Sequence, residues 1–304
     1  MSSRTESNER SAIWYLGLLG GPNVIHSPSP MMHLAALQSL QFVGKYEVLN
    51  LSGKMLPKIL ASLWKRGFLG LNVTNPHKIA VIEHLTGLSQ EAKTVGSVNT
   101  LIPDDKGFRG DNTDALGFQD AYLDDGAPAP EDTKALVLGA GGVSQAVIVA
   151  LQRSGYKPLL TARDPAKAEV VADRFGLRTT SWERLGQSGP FNLLVNATTA
   201  STPAEFNGKP PLVPLKDGAM VIDVNYARQG NHFKVLSDNA EGTYQNGQAM
   251  LAHQAHRSFK IWTGHDVNIS VFHDSLVAGL LLLNKAKNQR GWGPKGLGSK
   301  GAGG

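Results

Sequence analysis

Lys78 is a charge in an unexpected place. It follows Val73-Thr74-Asn75-Pro76-His77 at a strand-to-helix junction and falls in the first turn of the helix that Pro76 opens. The start of a helix carries partial positive charge, which disfavours a cation and should hold the lysine pKa down. A lysine so tuned is a candidate general acid or base, the plainer alternative being a solvated lysine. Asp111, Asn112, Thr113 and Asp114 stand just before another helix. They have the composition of an N-cap, yet an ionised Asp114 beside Lys78 would orient it, as the third member of a catalytic constellation orients its base. Ser27 and Ser29 flank Pro28 at a third helix start, where two hydroxyls and free amides can hold a carboxylate; Ser29 can equally be a simple cap. Gln254 shares a helical face with Met250 and Ile261, so it is either exposed at the edge or a buried polar group that needs a partner.

A second set of residues points to a dinucleotide. In residues 134–151 an apolar run breaks at Gly139, Gly141 and Gly142 and reopens as an amphipathic segment, giving strand, tight turn and helix. Glycines there let bare amides at the helix start approach a pyrophosphate. The third position of the usual G-x-G-x-x-G spacing is Ser144, so an ordinary strand-to-helix connection stays open. Arg163 and Asp164 end the next strand, where such domains read the adenosine ribose. The arginine favours a 2′-phosphate and NADP; the acid favours a free 2′-hydroxyl and NAD, unless it caps the helix that Pro165 opens. None of the nine histidines forms a pair with metal-ligand spacing backed by other ligands, and His253 and His256 read as surface residues. There is no G-x-S-x-G elbow of a serine hydrolase.

The chain that must position these groups has 304 residues and 41% hydrophobic content, enough for one large domain or two of ordinary size. It contains no cysteine, which excludes disulfides, thiolate nucleophiles and Cys-ligated zinc and fits a reducing compartment. The polar opening MSSRTESNER lacks the apolar core of a signal peptide, and the apolar run at 276–283 is too short to cross a bilayer. A cytoplasmic location is expected. Five of the 30 lysines and arginines lie in residues 285–304, which hold no acid, so the +5 net charge belongs to that Gly-rich stretch. The remaining body is neutral and has no nucleic-acid footprint; 285–304 reads as a flexible basic tail.

Periodicity places strands at 12–19, 46–51, 69–74, 95–102 and 108–110, with helices at 30–40, 55–66, 77–85 and 114–123. Residues 124–133, DDGAPAPEDT, read as a linker. Beyond it come the glycine turn, strands at 158–162, 191–196 and 220–224, a helix at 165–175, and long helices from about 249 to 264 and on to 283. The fold class is α/β with two domains, an N-terminal α/β substrate domain and a Rossmann-type doubly wound parallel sheet. Periodicity alone does not decide which domain the last two helices join.

Several runs, taken in order, resemble the shikimate dehydrogenase family over residues 16–264: HSPSPMMH at 26–33, NVTNPHK at 72–78, GSVNTL at 96–101, GDNTDALGF at 110–118, GAGG at 139–142, NAT at 196–198, and NGQAML followed by Gln254. The resemblance implies a substrate domain over 1–123 closed by the helices at about 249–284, an NADP-binding domain over 131–248, and an active site between them. The implied activity is the reversible reduction of 3-dehydroshikimate to shikimate with NADPH, in aromatic amino-acid biosynthesis. It makes Lys78 the acid/base, Asp114 its partner, and Ser27 and Ser29 the carboxylate clamp, with Thr74, Asn99, Tyr226 and Gln254 on the ring. Gly139, Ala140, Gly141, Gly142 and Val143 would then form the dinucleotide turn, joined by Arg163, Asn196, Thr198 and Gly247. In the family a Gly-x-Gly-Gly turn replaces the longer fingerprint, so Ser144 is no objection.

Three stretches depart from the family pattern. Ala162-Arg163-Asp164 stands where Asn-Arg-Thr is usual, the Gly-Met pair expected after Asn-Ala-Thr is replaced by residues 199–204, and Tyr226 is followed by Arg228 rather than proline. Use of NAD, with quinate as an alternative substrate, therefore stays open. So does a ligand sensor that keeps the fold without catalysis; a methylene-tetrahydrofolate dehydrogenase leaves the Ser-x-Ser loop without a job. No protein partner is read beyond a monomer or homodimer.

Overall fold

The computed structural model describes residues 13–124, 126–226 and 229–289. Two sheets organise it. The first is built by β1 (Ile13–Gly20), β2 (Val43–Asn50), β3 (Gly70–Val73), β4 (Thr100–Asp104) and β5 (Gly107–Asp111), in the order β2-β1-β3-β4-β5. β1 pairs parallel with β2 and β3, while β3–β4 and β4–β5 are antiparallel. Its helices are α1 (Ser29–Ser39), α2 (Leu56–Lys65), α3 (His77–Ala80), α4 (Gln90–Val95) and α5 (Asp114–Tyr122).

The second sheet comprises β6 (Ala135–Leu138), β7 (Leu159–Thr161), β8 (Arg178–Thr179), β9 (Phe191–Asn196), β10 (Leu215–Asp223) and β11 (Thr243–Asn246). The order is β11-β10-β9-β6-β7-β8 and every pairing is parallel. This is the doubly wound arrangement, with α6 (Gly142–Arg153), α7 (Pro165–Phe175), α8 (Leu185–Ser188) and α9 (His232–Asn239) among its connections. β6 reads ALVL and is buried throughout, as a central parallel strand covered on both faces must be.

The last two helices, α10 (Gln248–Thr263) and α11 (Ile269–Gln289), return to the first sheet. Ala252, Ala255, Phe259, Phe272, Leu276 and Leu280 share one apolar cluster with Trp14 and Leu16 of β1 and Met32, Ala36 and Leu37 of α1. α11 continues to Gln289, into the stretch read as a tail; residues 290–304 lie outside the described residues, as do 1–12 and Arg228. No described helix is long and apolar enough to cross a membrane.

Several local expectations need correction. Residues 95–102 do not form one strand. Ser89 accepts the Ala92 N–H at 3.0 Å and starts α4, Gly96 stops it in the left-handed region at φ 77°, and β4 begins only at Thr100. The helix expected at 77–85 is one α-helical turn, α3, tightened into a 3₁₀ turn over Val81–His84. No element was expected at α9 or β11, which are only eight and four residues long and so offer little length for a period to show.

Inside the first core, His33 of α1 is wholly buried and neither ring nitrogen has a hydrogen-bond partner. It stacks on Tyr46 at 5.2 Å and lies 5.1 Å from the Trp262 ring. Burial pushes the imidazole down to about 3, against a smaller upward pull from Asn72. The folded chain thus keeps His33 neutral in a pH range where the unfolded chain protonates it. As pH falls from about 6.5 towards 3, the unfolded state binds the extra proton and stability drops, by up to ~1.4 kcal/mol per pH unit from this group. Urea unfolding of His33→Leu between pH 4.5 and 7 should show a flatter acid limb than the wild type. An unchanged slope would mean His33 does not titrate this way.

Candidate active site

A cavity of about 260 Å³ lies between the two sheets. From the first sheet's side it is lined by Ser27, Ser29, Thr74, Lys78, Asn99, Asp114 and Gln254; from the second by Gly141, Gly142, Val143, Thr198, Tyr226 and Gly247. The second group stands beyond the carboxyl ends of β6, β9, β10 and β11, where the strand order reverses around β6. A further space of about 510 Å³ adjoins it and shares Ser27, Thr74, Asn75, Thr199, Asn225 and Tyr226.

Lys78 and Asp114 meet at the floor. The Nζ of Lys78 donates to Asp114 Oδ2 at 2.6 Å, with side chains only 13% and 4% exposed. The ammonium is thus set against a nearly buried carboxylate rather than open water. Its backbone is fixed from both sides: Val98 N–H donates to the Lys78 carbonyl at 2.8 Å, and buried His77 places Nε2 2.9 Å from the Leu51 carbonyl.

Asp114 is not the cap of α5. The Asn112 side-chain oxygen accepts the N–H of Asp114 at 2.9 Å and of Ala115 at 3.4 Å, which leaves the Asp114 carboxylate free for other partners. Asp111 is occupied by Ser89 and by the Asn112 N–H. Oδ1 of Asp114 accepts from Asn99 Nδ2 at 2.9 Å, so both carboxylate oxygens are answered.

Asn99 is the hub of a buried polar seam. Its Nδ2 also faces Thr113 Oγ1 at 2.9 Å and Gln254 Oε1 at 3.2 Å, while its Oδ1 accepts from Thr113 N–H and Thr100 Oγ1. Asn72 and Ser258 extend the seam between β3 and α10, and Tyr46 closes its far end by donating to Asn72 Oδ1 at 2.8 Å. Gln254 is therefore the buried polar group with a partner, not the exposed one; its Nε2 donates to the Leu251 carbonyl. Sequence reasoning missed Asn72, Thr113 and Ser258, whose types are ordinary in strands, caps and helices.

The serine loop differs from expectation. Ser29 is the first residue of α1 and its side chain caps nothing, Pro28 occupying the cap position. Ser27 Oγ accepts the Ser29 N–H at 3.2 Å and donates to Ser29 Oγ at 3.0 Å, so the two hydroxyls are held side by side at the cavity wall.

The glycine turn has the shape an anionic dinucleotide requires. Gly139 has φ +113°, and a Cβ there would meet Ser144 Oγ at 2.8 Å and Ala197 O at 2.9 Å. Ser144 Oγ donates to Ala197 O, tying α6 to the end of β9, and no side chain caps the α6 N-terminus at Gly141. Bare amides with a favourable dipole at the switch point fit a pyrophosphate. Gly139, Ala140, Arg163 and Asn196 are not among the lining residues. Asn196 is wholly buried, donating to Ala200 O and Asp223 Oδ1 and accepting from Thr198, so it shapes the turn after β9. Asn225, missed in sequence, holds the same turn by donating to Thr198 O at 2.9 Å.

At the end of β7 the ambiguity between Arg163 and Asp164 narrows. Asp164 caps α7, accepting the Lys167 N–H at 3.3 Å, with the Lys167 ammonium 3.4 Å away; that backbone bond first, and the lysine after it, hold its pKa below the usual carboxylate value. Arg163 stands exposed beside it. His253 and His256 are half-buried, 3.7 Å from Asp120 and 2.9 Å from Asp266 respectively. Among the described residues no group of three His, Cys, Asp or Glu can hold a metal.

Comparison with known proteins gives a consistent answer. A model of the shikimate dehydrogenase substrate-binding domain matches residues 19–101, and one of the shikimate 5′-dehydrogenase C-terminal domain matches 249–276. A shikimate dehydrogenase (NADP(+)) of Thermus thermophilus is 37% identical over 247 residues, 81% of this chain and 91% of its own length. One from Nitrobacter hamburgensis is 36% identical over 262 residues, 83% and 90% of the two chains. The crystal structure of a Thermus thermophilus shikimate 5-dehydrogenase in complex with NADP(H) and shikimate superposes with a TM-score of 0.77 at 34% identity, covering 88% of this chain and 99% of that one. A quinate dehydrogenase from Corynebacterium glutamicum in complex with NAD gives 0.78 at 26% identity, covering 88% and 100%.

Because the two N–H groups of the Asn99 amide are shared among Asp114, Thr113 and Gln254, its removal leaves buried acceptors short of donors. Asn99→Ala should cost about 1–3 kcal/mol of stability by urea unfolding. A loss near zero would mean that the seam repairs itself with water.

Proposed function

The chain belongs to the shikimate dehydrogenase family, and we propose that it interconverts shikimate and 3-dehydroshikimate with NADP through Lys78 and Asp114. The observation that carries this reading is the Lys78–Asp114 contact of 2.6 Å, in a cavity that the uncapped glycine turn also lines. In reduction Lys78 donates a proton to the ring oxygen as negative charge develops there; in oxidation the neutral amine takes the hydroxyl proton. Asp114 fixes the position of Nζ. A bound dinucleotide supplies or accepts the hydride at the ring carbon.

Ser27 and Ser29 donate their hydroxyls to the substrate carboxylate, and Thr74, Asn99, Tyr226 and Gln254 surround the ring. Gly139 to Val143, with Asn196, Thr198 and Gly247, form the dinucleotide side, and Arg163 takes the 2′-phosphate. Since Asp164 is engaged by α7 and Lys167, the acid that favours NAD is the less available of the pair. On this reading residues 1–123 with 249–284 form the substrate domain and 131–248 the dinucleotide domain. The enzyme acts in the cytoplasm as a monomer or homodimer, without nucleic acid.

Initial rates with shikimate and quinate, each with NADP+ and NAD+, test the reading. Shikimate with NADP+ should be the fastest pair, whereas no reduction with any ring acid would leave a ligand sensor. Lys78→Ala should lower kcat by at least about a hundredfold while shikimate still binds; near-normal turnover removes Lys78 from the chemistry. Ser27→Ala should chiefly raise KM for shikimate, because ground and transition states share the carboxylate contact. A loss confined to kcat would contradict the clamp.

A further inference from the structure

The glycine turn and the acid/base pair belong to different sheets, yet only two side chains separate them. Ser97, wholly buried, donates from Oγ to the Gly142 carbonyl at 3.1 Å. The same Oγ accepts from Asn112 Nδ2 at 3.1 Å, and that nitrogen also donates to the Ser97 carbonyl at 2.9 Å. The other end of the Asn112 amide accepts the N–H of Asp114. A continuous chain of hydrogen bonds thus runs from the first residue of α6, through Ser97 and Asn112, to the residue that holds Lys78.

Steric contact reinforces it. A Cβ on Gly142 would lie 3.2 Å from Ser97 Cβ and 3.3 Å from Lys78 Cβ. The turn therefore packs against the Lys78 and Ser97 side chains so closely that a methyl group on Gly142 would have to push them back by a few tenths of an ångström. Two other fasteners hold the surrounding surfaces: Arg153 pairs with Glu91 through two bonds of 2.7 and 2.8 Å, and Arg174 donates to the Lys93 and Thr94 carbonyls at the end of α4. The Arg153–Glu91 pair is bidentate and only 37% and 20% exposed, so it helps hold the two surfaces together, but it lies at the far end of α6 and not at its first turn. Val95 and Ala115 pack against Ala146 and Val149 of α6 and close the gap behind them, but apolar contact does not fix register.

We propose that Ser97 is a positioning residue for this reaction: its hydroxyl sets the height of the α6 turn against Lys78 and Asp114, and so the approach of dinucleotide to ring. The proposal rests on the functional reading above. Ser97 touches neither ring nor dinucleotide; it acts through Gly142 on one side and Asn112 on the other. Hydride transfer is sensitive to distance, a 1 Å misplacement costing up to ~10²-fold. A loosened turn should therefore lower kcat without weakening shikimate binding.

Two measurements on Ser97→Ala test this, with the thermal midpoint confirming that the variant folds. In the ligand-free chain, amide hydrogen exchange at Gln145, the first amide of the turn with a carbonyl partner, and at Ala146 after it should quicken about fivefold, the effect of losing one neutral hydrogen bond. In the assay kcat should fall by about tenfold with KM for shikimate within about twofold, and the deuterium isotope effect on kcat, with shikimate labelled at the oxidised carbon, should rise. Gly142→Ala, which presses the same surfaces apart while leaving the Ser97 hydroxyl in the chain, should reproduce the split between kcat and KM. Unchanged exchange, unchanged kcat, or a loss appearing only in KM overturns the proposal. A wild-type chain that turns over no shikimate fails the functional reading itself and takes this one with it; a Ser97→Ala variant equal to an active wild type fails the positioning role alone.

Discussion

A carboxylate placed at 3% exposure in a protein interior must have both oxygens answered or the fold loses several kcal/mol. Asp114 meets that demand with Lys78 on one oxygen and Asn99 on the other. Each answer imposes a further requirement. Asn99 must be locked by Thr100 and Thr113, which ties β4 to the start of α5; Gln254 and Ser258 must then face inward from α10, which brings the C-terminal helix onto the first sheet. Lys78 must sit on a turn short enough to point its amine inward. Much of the first unit's architecture can be read as the set of elements needed to keep one buried charge satisfied.

The sequence made some of this plain because certain residues tolerate few explanations. A lysine in a first helical turn, a glycine cluster between an apolar run and an amphipathic one, and an Asp-Pro helix opening each restrict the backbone by themselves, and each stands where that reasoning put it. The parallel sheet was legible for the same reason: a fully buried strand such as β6 has to read as a continuous apolar run. Other features depend on partners distant in sequence. Asn112, rather than Asp114, takes the α5 amides, because Asp114 is drawn away by a lysine 36 residues earlier. Gln254 is buried only because Asn99 lies opposite, and no helical periodicity reports that. In the serine loop Ser29 is not the cap it could have been, because Pro28 fills that position. α4 was hidden by length: six residues between Ser89 and Gly96 carry capping signals but too few turns for a period.

Glycine in this chain serves two physical ends that a motif match does not separate. Gly139 is required by its own backbone, at φ +113° and hard against Ala197 and Ser144. Gly142 has ordinary helical geometry and is small for another reason, the approach of the opposing wall. One glycine makes the turn possible; the other lets two sheets share a single cavity. Asn196 likewise serves the backbone, since its amide ties together the loop that follows β9.

The way α10 and α11 return to β1 also bears on how the chain is made. Trp14, Leu16 and Met32 find their apolar partners in Ala252, Phe259, Phe272 and Leu280, so the first sheet cannot cover that face until Leu280 has been synthesised. Every strand of the second sheet, by contrast, has been synthesised by Asn246. Vectorial synthesis therefore favours completion of the later-coded unit first, with the earlier one waiting, half covered, for its closing helices. Until then the aromatic face around Trp14 and Phe42 lacks the apolar partners it has in the folded chain.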